Sequence, residues 1–233
     1  MNDLTSADFL NLWERGVCLH PVDRSLLALS LANPETTYDR LADLPLGARN
    51  RALAELRSSC FGPGLEGWTT CEQCGEKLEF RFDARTLAAA AQSNTPTVEM
   101  GGHTFRLPTS RDLARVSRET DSRTAAARLL DACRLGVGNA PPWSDAELKE
   151  AGERLAEADP LAETRLTLDC PACGRRWDET LDVGAFLWAE VEARAKRLLL
   201  EVHTLASAYG WSEGEILALS EARRAYYIEA ARA

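Results

Sequence analysis

The chain has 233 residues, 45% of them hydrophobic and 27% charged, with a formal net charge of −9. That is enough apolar material for a sizeable core and too much for wholesale disorder. No stretch approaches the roughly 20 apolar residues of a membrane span, and the acidity speaks against a general grip on nucleic-acid phosphates, which needs clustered Lys and Arg. Abundant Ala, Leu, Arg and Glu tilt the expectation toward helix. The start Met1-Asn2-Asp3-Leu4 is acidic and lacks a basic-then-apolar signal region, so a cytoplasmic protein is expected.

Residues 1–62 read as a helical region. Thr5 or Ser6 can cap a first helix carrying Phe9, Leu10, Leu12 and Trp13, stopped near Gly16. Pro21 suits the first turn of a second helix whose leucines run to Asn33-Pro34, with His20 before it as a cap or surface group. A third helix, Leu46 to Cys60, shows Leu53 and Leu56 on one face and Arg49, Arg51 and Arg57 elsewhere. Phe61-Gly62-Pro63-Gly64 ends it.

The period then changes. Leu78-Glu79-Phe80-Arg81-Phe82 alternates as a half-buried strand does, directly after Cys71-Glu72-Gln73-Cys74-Gly75. Leu166-Thr167-Leu168 does the same before Cys170-Pro171-Ala172-Cys173-Gly174, with Trp177 to Leu181 as a returning strand. Strand, knuckle, strand, twice over, is the layout of a zinc ribbon, here assigned to residues 63–84 and 163–182. The segment 75–169 between the knuckles is too long for a loop. Within it, 85–162 forms an inserted subdomain: a hairpin Thr97–Met100 and His103–Leu107 about Gly101-Gly102, then helices from Ser110 to about Glu119, Ser122 to about Leu135 and Ser144 to about Ala158.

Residues 183–233 carry the longest helical signal. Trp188, Val191, Ala195, Leu198, Val202, Leu205 and Tyr209 recur at spacings of three and four, a heptad-like seam. Arg197 and Glu201 stand on its outer side, and His203 on its flank. Gly210 stops the helix, Ser212 caps a short one and Ser220 a last one. The expected fold class is therefore α+β, mostly helical, with a four-cysteine zinc-ribbon β unit and a long C-terminal helix.

Cys71, Cys74, Cys170 and Cys173 are the candidate ligands of one structural zinc per chain, because four thiolates close a tetrahedral shell and leave no position for chemistry. Redox pairs are the competing reading, yet such pairs usually open a helix in a thioredoxin-like pattern, whereas these sit between strands and precede Gly. A third arrangement lets each pair complete a site with another subunit. Cys18, Cys60 and Cys133 read as free thiols. Acids flank both knuckles, which favours scaffolding over a zinc-ribbon regulator that binds nucleic acid, the alternative function. Phosphate-loop, dinucleotide-glycine, His-Glu-x-x-His and Gly-x-Ser-x-Gly patterns are missing from the sequence, and no catalytic residue is assigned. The seam is ordinary core on the simpler reading. The functional reading is a docking arm, whose partner-facing residues are Trp188, Leu198, Val202, Tyr209, Trp211, Tyr226 and Tyr227, rich in the aromatics that proteins use to meet proteins.

The run from Leu199 to Ser220, LLEVHTLASAYGWSEGEILALS, followed by Arg223-Arg224-Ala225-Tyr226-Tyr227, is similar to a signature of baseplate-associated proteins of contractile-tailed phages and contractile injection systems, the family that includes baseplate hub assembly chaperones. Trp13-Glu14-Arg15-Gly16, His20-Pro21-Val22-Asp23-Arg24, Leu44-Pro45-Leu46-Gly47, both knuckles and Phe105 to Ser110 resemble the bacterial, zinc-knuckle form. The resemblance implies a protein made in the cytoplasm that helps build the baseplate or hub, or joins the tail-like particle. Its implied partners are baseplate, hub, spike or tape-measure proteins. It brings no catalytic residue, and the lack of a long apolar stretch gives no membrane partner.

Overall fold

In the computed structural model, residues 3–89, 96–136 and 142–232 are described. The N-terminal reading at Met1 and Asn2 lies outside them, as do positions 90–95 and 137–141 of the inserted segment. The protein is α+β and mostly helical. Helix α1 (Ser6–Gly16) starts at a reciprocal cap in which Thr5 and Asp8 each accept the other's backbone N–H. Helix α2 (Pro21–Ala32) has Pro21 in its first turn, and His20 caps it by accepting the Val22 N–H on Nδ1 at 3.3 Å. A short α3 (Tyr38–Ala42), capped by Thr37, escaped the sequence reading because five residues carry no period. Helix α4 (Leu46–Phe61) follows and ends at Gly62.

These helices bury their apolar faces against the front of the long helix α9 (Val183–Tyr209). Leu12, Leu29, Leu53, Leu56, Val191, Ala195 and Leu198 are all fully enclosed in one core. Removing such side chains from water is the main stabilising contribution of this body. Arg57 departs from the sequence expectation. It is 3% exposed, held by both carboxylate oxygens of Glu190 at 2.6 and 2.9 Å and by the Gly62 carbonyl. It lies one turn beyond Leu53, on the buried face, and a guanidinium can enter there only with its donors satisfied.

Strands β1 (Gly64–Thr70) and β2 (Lys77–Asp83) form one antiparallel hairpin, and β6 (Thr164–Asp169) and β7 (Arg176–Leu181) another. They remain separate two-stranded sheets rather than merging into one. A two-stranded hairpin is marginal by itself; each packs its inner face on the helical body, Phe80, Phe82 and Leu166 reaching the main core. Helix α5 (Ala84–Ala89) leads away from β2.

The inserted segment builds its own small core from Met100, Phe105, Leu130, Trp143 and Ala151. Strands β3 (Thr97–Met100) and β4 (His103–Arg106) pair about Gly101 and Gly102, and β5 (Arg134–Leu135) pairs with β4. Helices α6 (Ser110–Val116), α7 (Ser122–Cys133) and α8 (Asp145–Ala158) complete it. The sequence placed Arg134 and Leu135 in the helix. The chain extends there instead, where their backbone pairs with β4. Helix α6 likewise stops at Val116, short of Glu119.

The insertion meets the body through Leu87 and Leu161, which enter the main core, and through polar contacts. The Leu46 N–H donates to the Pro108 carbonyl, and the Asn50 amide to the Leu161 carbonyl at 2.8 Å. Asp159 closes the start of α4 from a distant point in the chain, its carboxylate accepting the Gly47 N–H at 2.8 Å. Glycine is required there, since a Cβ would fall 1.8 Å from that carboxylate. A negative group at a helix N-terminus also suits the helix dipole.

Candidate metal centre and C-terminal surface

The two knuckles are the same turn built twice. In the first, the Cys71 N–H donates to Glu76 and the Gly75 N–H to Cys71; in the second, the Cys170 N–H donates to Arg175 and the Gly174 N–H to Cys170, all at 2.8–2.9 Å. Gly75 and Gly174 sit at φ 75° and 72°, the left-handed region that side chains resist. Each turn therefore aims two sulfurs the same way from the tip of a hairpin.

Face to face, the hairpins bring the Sγ atoms of Cys71, Cys74, Cys170 and Cys173 within 4.8 Å of one another. Contacts between the knuckles are 3.7 Å for Cys71–Cys173 and 3.6 Å for Cys74–Cys170. A tetrahedral ion with metal–sulfur bonds of about 2.3 Å has sulfur–sulfur edges of roughly 3.8 Å, so the donor set fits a metal ion of that kind. Cys71 and Cys170 are buried, while Cys74 and Cys173 face solvent. The Glu72 carboxylate and Arg175 pair at 3.0 Å across the gap, and the Thr69 hydroxyl donates to Glu179, which also accepts the Trp177 indole N–H.

Crowding separates the thiols electrically. Burial pushes the Cys71 thiol up, but the N–H groups of Cys74 and Gln73 and the neighbouring thiols bring it down to about 7. At Cys74 the Glu76 N–H pulls down, yet burial and the three other sulfurs drive the thiol up to about 12. Four sulfurs this close cannot all ionise unless a cation compensates them, so metal uptake would expel protons.

The ribbon's arginines are matched by carboxylates: Arg81 by Glu66, Arg165 by Glu163, Arg175 by Glu72 and Arg176 by Asp169. Among the described residues, no helix is long and apolar enough to cross a membrane.

The seven expected partner-facing residues divide. Leu198 is fully buried in the main core. Trp188 is half-buried, its ring beneath Arg24 at 4.5 Å and against Gly16. Both face this chain's own helices. Val202 is half-buried beyond the main core, and the remaining four gather at the far end of α9. Tyr209 stacks on Trp211 at 4.7 Å, Tyr227 meets Trp211 edge-on at 4.9 Å, and Tyr226 adjoins Tyr227. The Tyr209 hydroxyl donates to the Tyr227 carbonyl at 3.2 Å. Tyr226 is 70% exposed.

Helices α10 (Glu213–Ala218) and α11 (Glu221–Arg232) hold this cluster in place. Arg224, 1% exposed, donates to Glu201 at 2.8 Å and to the Leu219 carbonyl, while Arg194 and Arg197 both reach Glu221. Arg197 and Glu201 thus turn toward α11 rather than outward. Sequence reasoning missed this anchor; its signal was the shared face of Arg224, Tyr227 and Ile228 at spacings of three and four. Between α9 and α11 runs a groove of about 560 Å³, in which Leu200, Ala225 and Ile228 are flanked by Arg197, Glu201, Thr204, Glu229 and Arg232.

Compared with known protein families, curated proteins and solved structures, the chain matches none.

Proposed function

We propose that this protein is an assembly factor or minor structural component of the baseplate or hub of a contractile injection system or phage-like tail. On this reading it works in the cytoplasm or within the particle, by binding protein, with one structural zinc ion held by Cys71, Cys74, Cys170 and Cys173. The observation that carries the reading is the C-terminal unit. The run that resembles baseplate-associated proteins, Leu199 to Tyr227, spans the end of α9, all of α10 and the start of α11, and presents its aromatic residues as one cluster. Exposed Tyr209 and Tyr226 over half-buried Trp211 and Tyr227 have the composition of a protein-binding surface. Zinc is the metal of choice for four thiolates on two such turns, and its role is to fasten. The nucleic-acid alternative draws no support from the matched arginines of the ribbon.

The test is co-purification of the tagged chain with hub, spike and tape-measure proteins of a contractile apparatus, beside Tyr226→Ala. The native chain is expected to retain those proteins and the variant to lose at least tenfold of the signal while melting at the same temperature. Recovery of the intact apparatus without this chain bound to any component overturns the reading. Elemental analysis of the purified protein should return one zinc per chain.

A further inference from the structure

The four sulfurs are not equivalent: each solvent-facing one lies against a buried one of the opposite knuckle, Cys173 against Cys71 and Cys74 against Cys170. From this we propose that the clasp is oxidisable without coming undone: a peroxide expels the zinc and leaves two disulfides, Cys71–Cys173 and Cys74–Cys170, that still join the knuckles. This rests on the zinc reading above and concerns the regulation of that same site.

Peroxide reaches the exposed thiolate of Cys173 or Cys74 first. The sulfur attacks one peroxide oxygen, the O–O bond breaks, and a sulfenic acid and hydroxide form. The buried thiolate across the gap then displaces hydroxide from the sulfenic sulfur, closing the disulfide. Each bridge takes two electrons from two thiolates and reduces one peroxide, and two protons from solvent turn the hydroxides into water. The first bridge would remove two of the four thiolate donors that would hold the ion, and a second peroxide closes the other bridge, after which no donor thiolate remains. The sulfurs must approach from 3.6–3.7 Å to about 2.05 Å. The Arg175–Glu72 pair and the Thr69–Glu179 hydrogen bond tie the hairpins together meanwhile.

The outcome differs from that of a redox C-x-x-C motif. Bridges within each knuckle would release the two hairpins from each other. Bridges between knuckles keep the start and end of the insertion joined after the metal has gone. Of the remaining thiols, burial pushes up Cys60 and Cys133, Cys133 to about 11, so both compete poorly; Cys18 is exposed, and Cys18→Ser is titrated beside the native chain so that peroxide spent there is not counted.

The experiment uses the full chain as purified, with zinc measured first. Hydrogen peroxide is added stepwise, zinc release is followed with a chromogenic chelator, and bridges are mapped by mass spectrometry of non-reduced digests. The expected result is one zinc released per chain at two peroxides, with the two inter-knuckle bridges. Bridges Cys71–Cys74 and Cys170–Cys173, sulfinic acids in place of disulfides, or retained zinc each overturn the proposal. A purified chain without zinc overturns the metal reading itself, a result distinct from the others because it precedes oxidation.

Discussion

The helical body and the ribbon solve the same problem by opposite means. The body, α1, α2, α4 and the front of α9, encloses leucines from four helices and is held chiefly by their burial, with the Arg57–Glu190 pair as a polar exception. The ribbon consists of two two-stranded hairpins with one face each on that body and their tips in solvent, where four sulfurs meet. Apolar area stabilises the first; the second adds Leu65 and Leu181 to the same core and, on the zinc reading proposed above, has its tips held by a coordination shell. The difference shows why a chain with an adequate core still carries four cysteines: hairpin tips cannot bury enough to hold each other.

On the zinc reading, metal removal is the strongest way to separate the two. A high-affinity chelator should abolish amide protection in β1, β2, β6 and β7, because structural zinc commonly contributes about 10 kcal/mol or more, while helical ellipticity persists. Hydrogen exchange measures both regions at once, and equal loss from α1, α2 and α9 would erase the distinction. Leu198→Ala is the mirror experiment. A fully buried leucine in the main core should cost about 3–5 kcal/mol in denaturant unfolding with zinc content unchanged.

Arg57→Ala probes the polar exception in the body. It strands Glu190, whose side chain is about a third exposed. The expected loss is about 2–3 kcal/mol, below that for a fully enclosed pair. Double-mutant cycles with Glu190→Gln would show the two positions coupled.

The insertion is an intermediate case, a small apolar core of its own docked through two leucines and polar contacts, and it should respond to acid. Asp112 is buried, which raises its carboxyl, but Arg106 and the Thr109 hydroxyl and N–H more than offset this and hold it below the usual carboxylate range. A depressed folded value contributes stability that is present above the unfolded value of about 3.9 and lost as pH falls through the folded one. Protection of β4 and α6 should therefore decline below about pH 4, with Asp112→Asn removing the dependence. This is the smallest of the four effects, and a flat acid profile in the native chain would remove Asp112 from the account.

How much of this was legible in sequence follows from which signals are local. Both knuckles, the helix starts at Thr5, Pro21, Ser144 and Ser212, and the full span of α9 were readable because caps, turns and apolar periods are short-range features. The β5 pairing, the trans-cap by Asp159 and the burial of Arg57 and Arg224 were not, because each depends on a partner far along the chain. An arginine on a helix reads as solvated until the tertiary structure supplies the carboxylate that lets it enter.

Spacing and local chemistry sufficed for the main helices, the two knuckles, the mostly helical α+β class and the identity of the four converging cysteines, while the short α3, α5 and β5 left no local signal. Tertiary structure alone decided that the donors converge within 4.8 Å. It also set the front of the α9 seam facing inward and left Tyr209 and Tyr226 exposed at its far end. A periodic stripe states that a face will be covered; only the packed chain says by what.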